Sequence, residues 1–137
     1  LDARTRLGEL LQMSFNASFS QNTFEDGPSE GNLLPNVPGI LANSTLRYEF
    51  AQNIHTALMM KYVGIQYIDN ANTEALAIPA YFLTDLSLLL NISHADLQFK
   101  VNNLFDVHYA TYGYEYYGGN YWPGATRNFT INLNYSF

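Results

Sequence analysis

The last eleven residues, Arg127 to Phe137, constrain the fold most strongly. Phe129, Ile131, Leu133, Tyr135 and Phe137 alternate without a break against Asn128, Thr130, Asn132, Asn134 and Ser136. Side chains of a strand point to opposite faces with period two, so one face of this segment is wholly apolar and the other wholly polar. A sheet in water alternates too, but it seldom puts two aromatics on the apolar face of its final turn and then stops on Phe. At about 3.3 Å per residue and a tilt of about 45°, these eleven residues span about 25 Å, the height of the apolar band of a membrane-spanning barrel.

The same pattern recurs upstream. Leu1, Ala3, Thr5 and Leu7 alternate with Asp2, Arg4 and Arg6 before a Gly8-Glu9 turn. A second strand is expected from Leu10 to about Thr23, with Leu11, Met13, Phe15, Ala17 and Phe19 opposing Gln12, Ser14, Asn16, Ser18 and Ser20. In a third, Leu46, Tyr48 and Phe50 oppose Thr45, Arg47 and Glu49 up to a turn at Gln52-Asn53. A fourth, from Ile54 to Tyr67, is less regular, with Leu58, Met60 and Tyr62 on one face and Met59, Lys61 and Val63 on the other. The fifth sets Thr84, Leu86, Leu88 and Leu90 against Leu83, Asp85, Ser87 and Leu89, and ends at a turn from Asn91 to Ala95. The sixth sets Leu97, Phe99 and Val101 against Gln98, Lys100 and Asn102 and runs to about Tyr109. Phe24 to Pro38, Ile68 to Ala77 and Ala110 to Gly124 read as long loops, and no segment calls for a helix.

Short and long connections therefore alternate, as in an up-and-down barrel with short turns at one rim and longer loops at the other. Charge follows the same division. Arg4, Arg6, Arg47, Lys61 and Lys100 take inward strand positions, Arg127 opens the last strand, and the long loops carry Glu25, Asp26, Glu30, Asp69, Glu74 and Glu115 with no basic residue. A charge on a lipid-facing position near the midplane costs about 2–4 kcal/mol, so the inward placement implies a polar lumen. A formal charge of −6 argues against nucleic acid or an anionic membrane surface as partner. Cysteine is absent, and the longest apolar run, Ala75 to Leu83, is far shorter than the about 20 residues of a membrane helix. Eleven Tyr and nine Phe suit the aromatic girdles of a barrel.

The expected fold is an all-β, antiparallel transmembrane β-barrel segment of about seven strands. Seven strands do not close a bacterial barrel, whose strand number is even, and an open edge in lipid leaves backbone groups unpaired. The first strand is thus expected to pair with strands outside this sequence. Leu1-Asp2-Ala3-Arg4 opens neither with an initiator nor with a secretory signal, so the sequence is expected to begin inside something longer or after processing.

Several motifs carry a family resemblance. Val101-Asn102-Asn103-Leu104-Phe105-Asp106, then Tyr109, a Tyr/Gly-rich stretch, Trp122-Pro123-Gly124-Ala125-Thr126-Arg127-Asn128-Phe129 and a terminal Phe137 resemble the C-terminus of a TonB-dependent outer-membrane receptor. Leu34-Pro35-Asn36-Val37-Pro38 before Leu46-Arg47-Tyr48, then Lys61-Tyr62-Val63-Gly64, then Ile78-Pro79-Ala80-Tyr81 with Asp85, resemble that family's successive strand openings in the same order. The resemblance covers essentially the whole chain. It implies the bacterial outer membrane, a 22-stranded barrel around an N-terminal plug, and uptake of a ferric siderophore, haem or a similar scarce nutrient with energy passed from TonB. Residues 1–137 would be roughly the last third of that barrel, without the plug and the earlier strands. The implied partners are the remainder of the receptor, TonB through its missing N-terminal part, outer-membrane lipid and the barrel-assembly machinery.

On this reading Arg47, Glu49, Lys61, Asp85 and Lys100 face the lumen and plug. Leu133, Tyr135 and Phe137 resemble the terminal signal by which such barrels reach their assembly machinery. Tyr112, Tyr114, Tyr116, Tyr117, Tyr121 and Trp122 are the candidate ligand contacts, because aromatic rings offer flat apolar faces with polar tips. The same alternation of Tyr and Gly also suits loop self-packing. His55, His94 and His108 stand apart, without a carboxylate or second His at ligand spacing, so no metal site or cofactor is expected. No Ser/His/Asp spacing suggests catalysis, and the paired carboxylates Glu25-Asp26 lie in a Gly/Pro loop, so no enzyme is expected. Asn16, Asn43, Asn91 and Asn128 open Asn-x-Ser/Thr sequons, as chance provides in an Asn- and Ser-rich chain. Two alternatives fit the alternation: a soluble carbohydrate-binding β-sandwich, and a small autonomous porin or adhesin barrel.

Overall fold

A computed structural model describes residues 1–136. Its strands are β1 (Asp2–Arg6), β2 (Leu11–Phe19), β3 (Ile40–Ala51), β4 (Ile54–Val63), β5 (Tyr81–Ile92), β6 (Ala95–Asn102), β7 (Ala110–Glu115), β8 (Gly119–Pro123) and β9 (Asn128–Tyr135). Seven of them form one antiparallel sheet in the order β1-β2-β3-β4-β5-β6-β9, and β7 and β8 form a separate hairpin. Among the described residues helical structure is limited to one 3-10 turn, Glu74–Leu76, inside the second long connection.

Cross-strand partners share a face, so the register tests the alternation directly. Met13, Leu46, Leu58, Leu86, Val101 and Phe129 form one continuous row across six strands. The adjacent row, on the other face, runs Arg6, Gln12, Arg47, Ala57, Ser87, Lys100 and Thr130. The face expected for every strand is the observed one, including the irregular β4. One departure is Phe50, which lies in a bulge between Glu49 and Ala51, with its ring edge-on to Tyr48 at 4.6 Å. An extra residue in one strand leaves the two-residue alternation locally.

No second sheet covers the apolar face among the described residues. Phe129, Ile131 and Leu133 are 74%, 67% and 69% exposed, which removes the sandwich alternative. The edges of the sheet are β1 and β9, which do not pair with each other, so the barrel is not closed within this chain and the small autonomous porin or adhesin barrel falls too.

Strand ends differ from expectation, each for a local reason. β2 stops at Phe19, short of Thr23, because the chain turns into a hairpin of its own: Thr23 bridges Leu33, and the Leu34 N–H donates to the Asn22 carbonyl at 2.8 Å. β3 begins at Ile40, ahead of Thr45, directly after Pro38-Gly39. β4 stops at Val63 and not Tyr67, where the Gly64 N–H makes a last bond to the Ile40 carbonyl before Gln66 pairs with Ile78. β6 stops at Asn102 and not Tyr109, because Asn103 takes the left-handed φ of 50° and bends the chain. The segment expected as a third loop, Ala110 to Gly124, contains the β7–β8 hairpin.

The short turns β1–β2, β3–β4 and β5–β6 lie at one rim; residues 20–39, 64–80 and 103–127 connect strands at the other. The buried apolar side chains among the described residues are Ala17, Val63, Ile68 and Ile78. Two of the four, Ile68 and Ile78, belong to the second long connection, so the sheet presents two surfaces while the loops enclose a small core.

Candidate functional site

Two regions hold the candidate residues: the polar face of the sheet and the cluster of long connections above it. On the polar face Arg47 lies between Gln12 and Ala57, Glu49 opposite His55, and Lys61 between Asn43 and Leu83. Asp85 pairs with Lys100 at 3.5 Å, and its other carboxylate oxygen accepts the Asn103 N–H at 2.8 Å. Both side chains of the pair are 31% exposed, so solvent screens it. Neutral groups link the strands around these charges. The Asn102 amide donates to Asn128 (2.7 Å) and Thr130 (3.2 Å), Gln98 to Ser87 (3.1 Å), Asn132 to Gln98 (3.1 Å), and Asn43 to Asn16 (3.1 Å). The concave surface forms a recess of about 720 Å³ lined by Arg47, Glu49, His55, Ser87, Gln98 and Lys100, among others. Lys61 and Asp85 sit outside that recess, nearer the long-loop rim. No three His, Cys, Asp or Glu side chains converge on a metal position among the described residues.

The hairpin divides the six candidate aromatics. Tyr112 and Trp122 are partners in the register, and the Trp122 ring lies 5.5 Å from Tyr112 and 5.4 Å from Tyr114. These three form a half-exposed aromatic platform on one face of β7–β8. Tyr121 pairs with Gly113 and its hydroxyl donates to the Leu76 carbonyl at 2.9 Å. Tyr116 and Tyr117 sit at the tip, their rings 4.7 Å apart, where Tyr117 and Gly118 both have positive φ.

Asparagines hold this cluster together. Asn36 (φ 59°) sends both edges of its amide to Gly113: its Nδ2 donates to the Gly113 carbonyl at 2.9 Å and its Oδ1 accepts the Gly113 N–H at 2.9 Å. Asn72 (φ 56°) treats Leu33 likewise, donating to its carbonyl at 2.9 Å and accepting its N–H at 2.7 Å. Asn103, buried, donates to the Val107 and Ala125 carbonyls and accepts the Val107 N–H. Asn tolerates the left-handed region better than other non-Gly residues, and its amide copies the donor and acceptor of a backbone unit. Gly113 is required at its position because a Cβ there would meet Ile68 Cγ2 at 2.7 Å. At the neck of the hairpin the Gly124 N–H donates to the Tyr109 carbonyl at 2.8 Å, and the Tyr109 ring lies across Gly124 and 4.6 Å from the Tyr81 ring. Sequence reasoning missed Asn36, Asn72, Asn103 and Gly113. Their signal was present as Pro35-Asn36, Asn70-Ala71-Asn72 and Asn102-Asn103, dipeptides and clusters typical of turns.

Of the terminal residues, Leu133 lies opposite Leu97 and Tyr135 opposite Ala95 on the apolar face of the edge strand β9, and Phe137 lies outside the described residues.

The family model described as TonB dependent receptor-like, beta-barrel, matches residues 1–104. This chain belongs to the TonB-dependent receptor family. It is 29% identical over 148 aligned positions to the ferrioxamine receptor of Yersinia enterocolitica, covering all of this chain and 20% of that protein. It is 33% identical over 122 positions to the metal-pseudopaline receptor CntO of Pseudomonas aeruginosa, covering 84% of this chain and 16% of that protein. Superposition on the ferric yersiniabactin uptake receptor FyuA of Yersinia pestis gives a TM-score of 0.85 at 25% identity, over 99% of this chain and 22% of that one. The chain thus spans between 16% and 20% of the length of those two relatives by sequence. TonB-dependent receptor barrels reside in the bacterial outer membrane.

Proposed function

We propose that this chain is part of the barrel wall of a TonB-dependent transporter that imports a ferric siderophore. The observation that carries the reading is the unbroken apolar row from Met13 to Phe129 backed by the polar row from Arg6 to Thr130, in a chain of receptor family. The relatives' names, a ferrioxamine receptor and a metal-pseudopaline receptor, support a metal chelate as cargo. The rest of the protein supplies further strands to close a barrel of about 22 strands, an N-terminal plug within it, and the segment that meets TonB.

In this assembly the apolar face meets lipid, and Arg47, Glu49, Lys61, Asp85 and Lys100 meet the plug. Amide pairs such as Asn43 with Asn16 and Asn132 with Gln98 bond along the wall, and the remaining donors and acceptors of this face, with Arg47, Glu49 and Lys61, are open to the plug and to water. The platform of Tyr112, Tyr114 and Trp122 contacts the incoming chelate; Tyr116 and Tyr117 form the outermost edge, and Tyr121 serves the packing of the hairpin. Nothing in this chain takes a catalytic part.

The test is uptake of radiolabelled iron as ferrioxamine by cells carrying the complete receptor. Replacing Tyr112, Tyr114 and Trp122 together by Ala is expected to weaken binding about tenfold or more at unchanged receptor level, since each aromatic contact contributes about 0.5–1.5 kcal/mol. Unaltered affinity would leave the platform as packing. Leu133, Tyr135 and Phe137 serve recognition by the barrel-assembly machinery. Tyr135→Ala with Phe137→Ala is expected to lower the amount of folded receptor in the outer membrane, and an unchanged amount would remove that role.

A further inference from the structure

Each pair of the three long connections is tied directly. The first (20–39) and second (64–80) are joined by the Asn72–Leu33 pair, by Asn32 donating to the Asn70 carbonyl at 2.8 Å and by the Asn36 N–H donating to the Tyr67 carbonyl at 2.8 Å. The first and third (103–127) are joined by the Asn36–Gly113 pair. The second and third are joined by Tyr121 on the Leu76 carbonyl and by the Ile68 side chain against Gly113. Two ties in series would leave a hinge between the outer members. Three ties in a closed triangle leave none, because motion of one member strains both of its joints.

We infer that the three connections form a single interlocked body, and that Asn36 and Asn72 are positioning residues that set the place of the aromatic hairpin. Asn72 acts at a distance: its amide meets the first connection, and that connection, through Asn36, meets the hairpin. On the transporter reading, a chelate that displaces one connection displaces all three, so this part of the vestibule does not contribute three independent lids. The exchange measurement below needs no ligand, so it judges the interlock whether or not that reading stands.

The experiment is hydrogen–deuterium exchange on the complete receptor in detergent, wild type against Asn72→Gly and Asn36→Gly. Glycine keeps the positive φ available and removes only the amide. Asn72→Gly is expected to accelerate exchange across residues 110–123 by roughly tenfold, the scale of two lost hydrogen bonds, although Asn72 makes no bond to them. Asn36→Gly is expected to do the same across residues 24–38 and 110–123. Amides of β3 to β5 are expected to keep wild-type rates, which separates positioning from a general loss of structure. Asn72→Asp, which retains the acceptor for the Leu33 N–H, is expected to fall between wild type and Asn72→Gly. If Asn72→Gly loosens only residues 30–36 and 64–80 and leaves 110–123 at the wild-type rate, the interlock is refuted. If the glycine variants do not assemble, Asn72→Asp decides in their place: acceleration in 110–123 supports the interlock, and a wild-type rate there refutes it.

Discussion

The sheet and the loop cluster are held together by opposite means. The sheet has two faces and almost no interior: its order comes from backbone ladders and from the opposite polarity of its two faces, one apolar and one polar. The loop cluster has a small interior, around Ile68 and Ile78, and is fixed by individual pairings such as Asn36 with Gly113. A surface defined by its solvent accepts any residue of the right polarity. A cluster defined by single pairings accepts almost none at the paired positions.

The contrast is sharpest on β9, where neighbouring residues point to opposite faces. Ile131→Arg puts a charge toward lipid near mid-strand and is expected to cost about 2–4 kcal/mol, whereas Asn132→Arg, one residue on, loses a single bond to Gln98 and is expected to cost about 1 kcal/mol or less. Urea titration of receptor folded into lipid vesicles reads both, and equal costs would break the division into lipid and lumen faces. Gly113→Ala is expected to come next. Its Cβ meets Ile68, and overpacking of this kind costs about 1–3 kcal/mol, here confined to the loops. Limited proteolysis should cut residues 110–123 faster while the barrel's unfolding midpoint holds; a fall in that midpoint would show that sheet and loops are not separable. The smallest effect is expected for Asp85→Asn. It loses the half-screened pair to Lys100 but keeps an acceptor for the Asn103 N–H, so the change should stay below about 1 kcal/mol and shrink with added salt.

The same contrast explains what could be read in advance. Strand faces were legible across the seven-stranded sheet, even in β4, except at the Phe50 bulge, because one face is apolar and the other polar with a period of two. Where strands end was not legible. The alternation in Leu97 to Val101 has no counterpart warning of the bend at Asn103 other than the Asn102-Asn103 pair itself, and β4 ends where Gln66 finds Ile78, a partner remote in sequence. The β7–β8 hairpin hid behind its composition: Tyr112 and Tyr114 alternate with Gly113 and Glu115 around Gly118-Gly119, but so much Gly and Tyr reads as irregular loop. The candidate aromatics were named as one group. The pairing of β7 with β8 separates them into a platform, a tip and a packing residue, because residues on opposite faces of a strand share no surface.

The triangle of ties also bears on how this rim could be transplanted. A hairpin carrying Gly113 is of little use over a first connection that lacks Asn36, and a first connection shaped around Asn72 is of little use beside a second that lacks it. Exchange of one connection between relatives would therefore bring in a part whose counterparts stayed behind. A chimera intended to move this rim intact from one receptor to another would have to graft residues 20–39, 64–80 and 103–127 together.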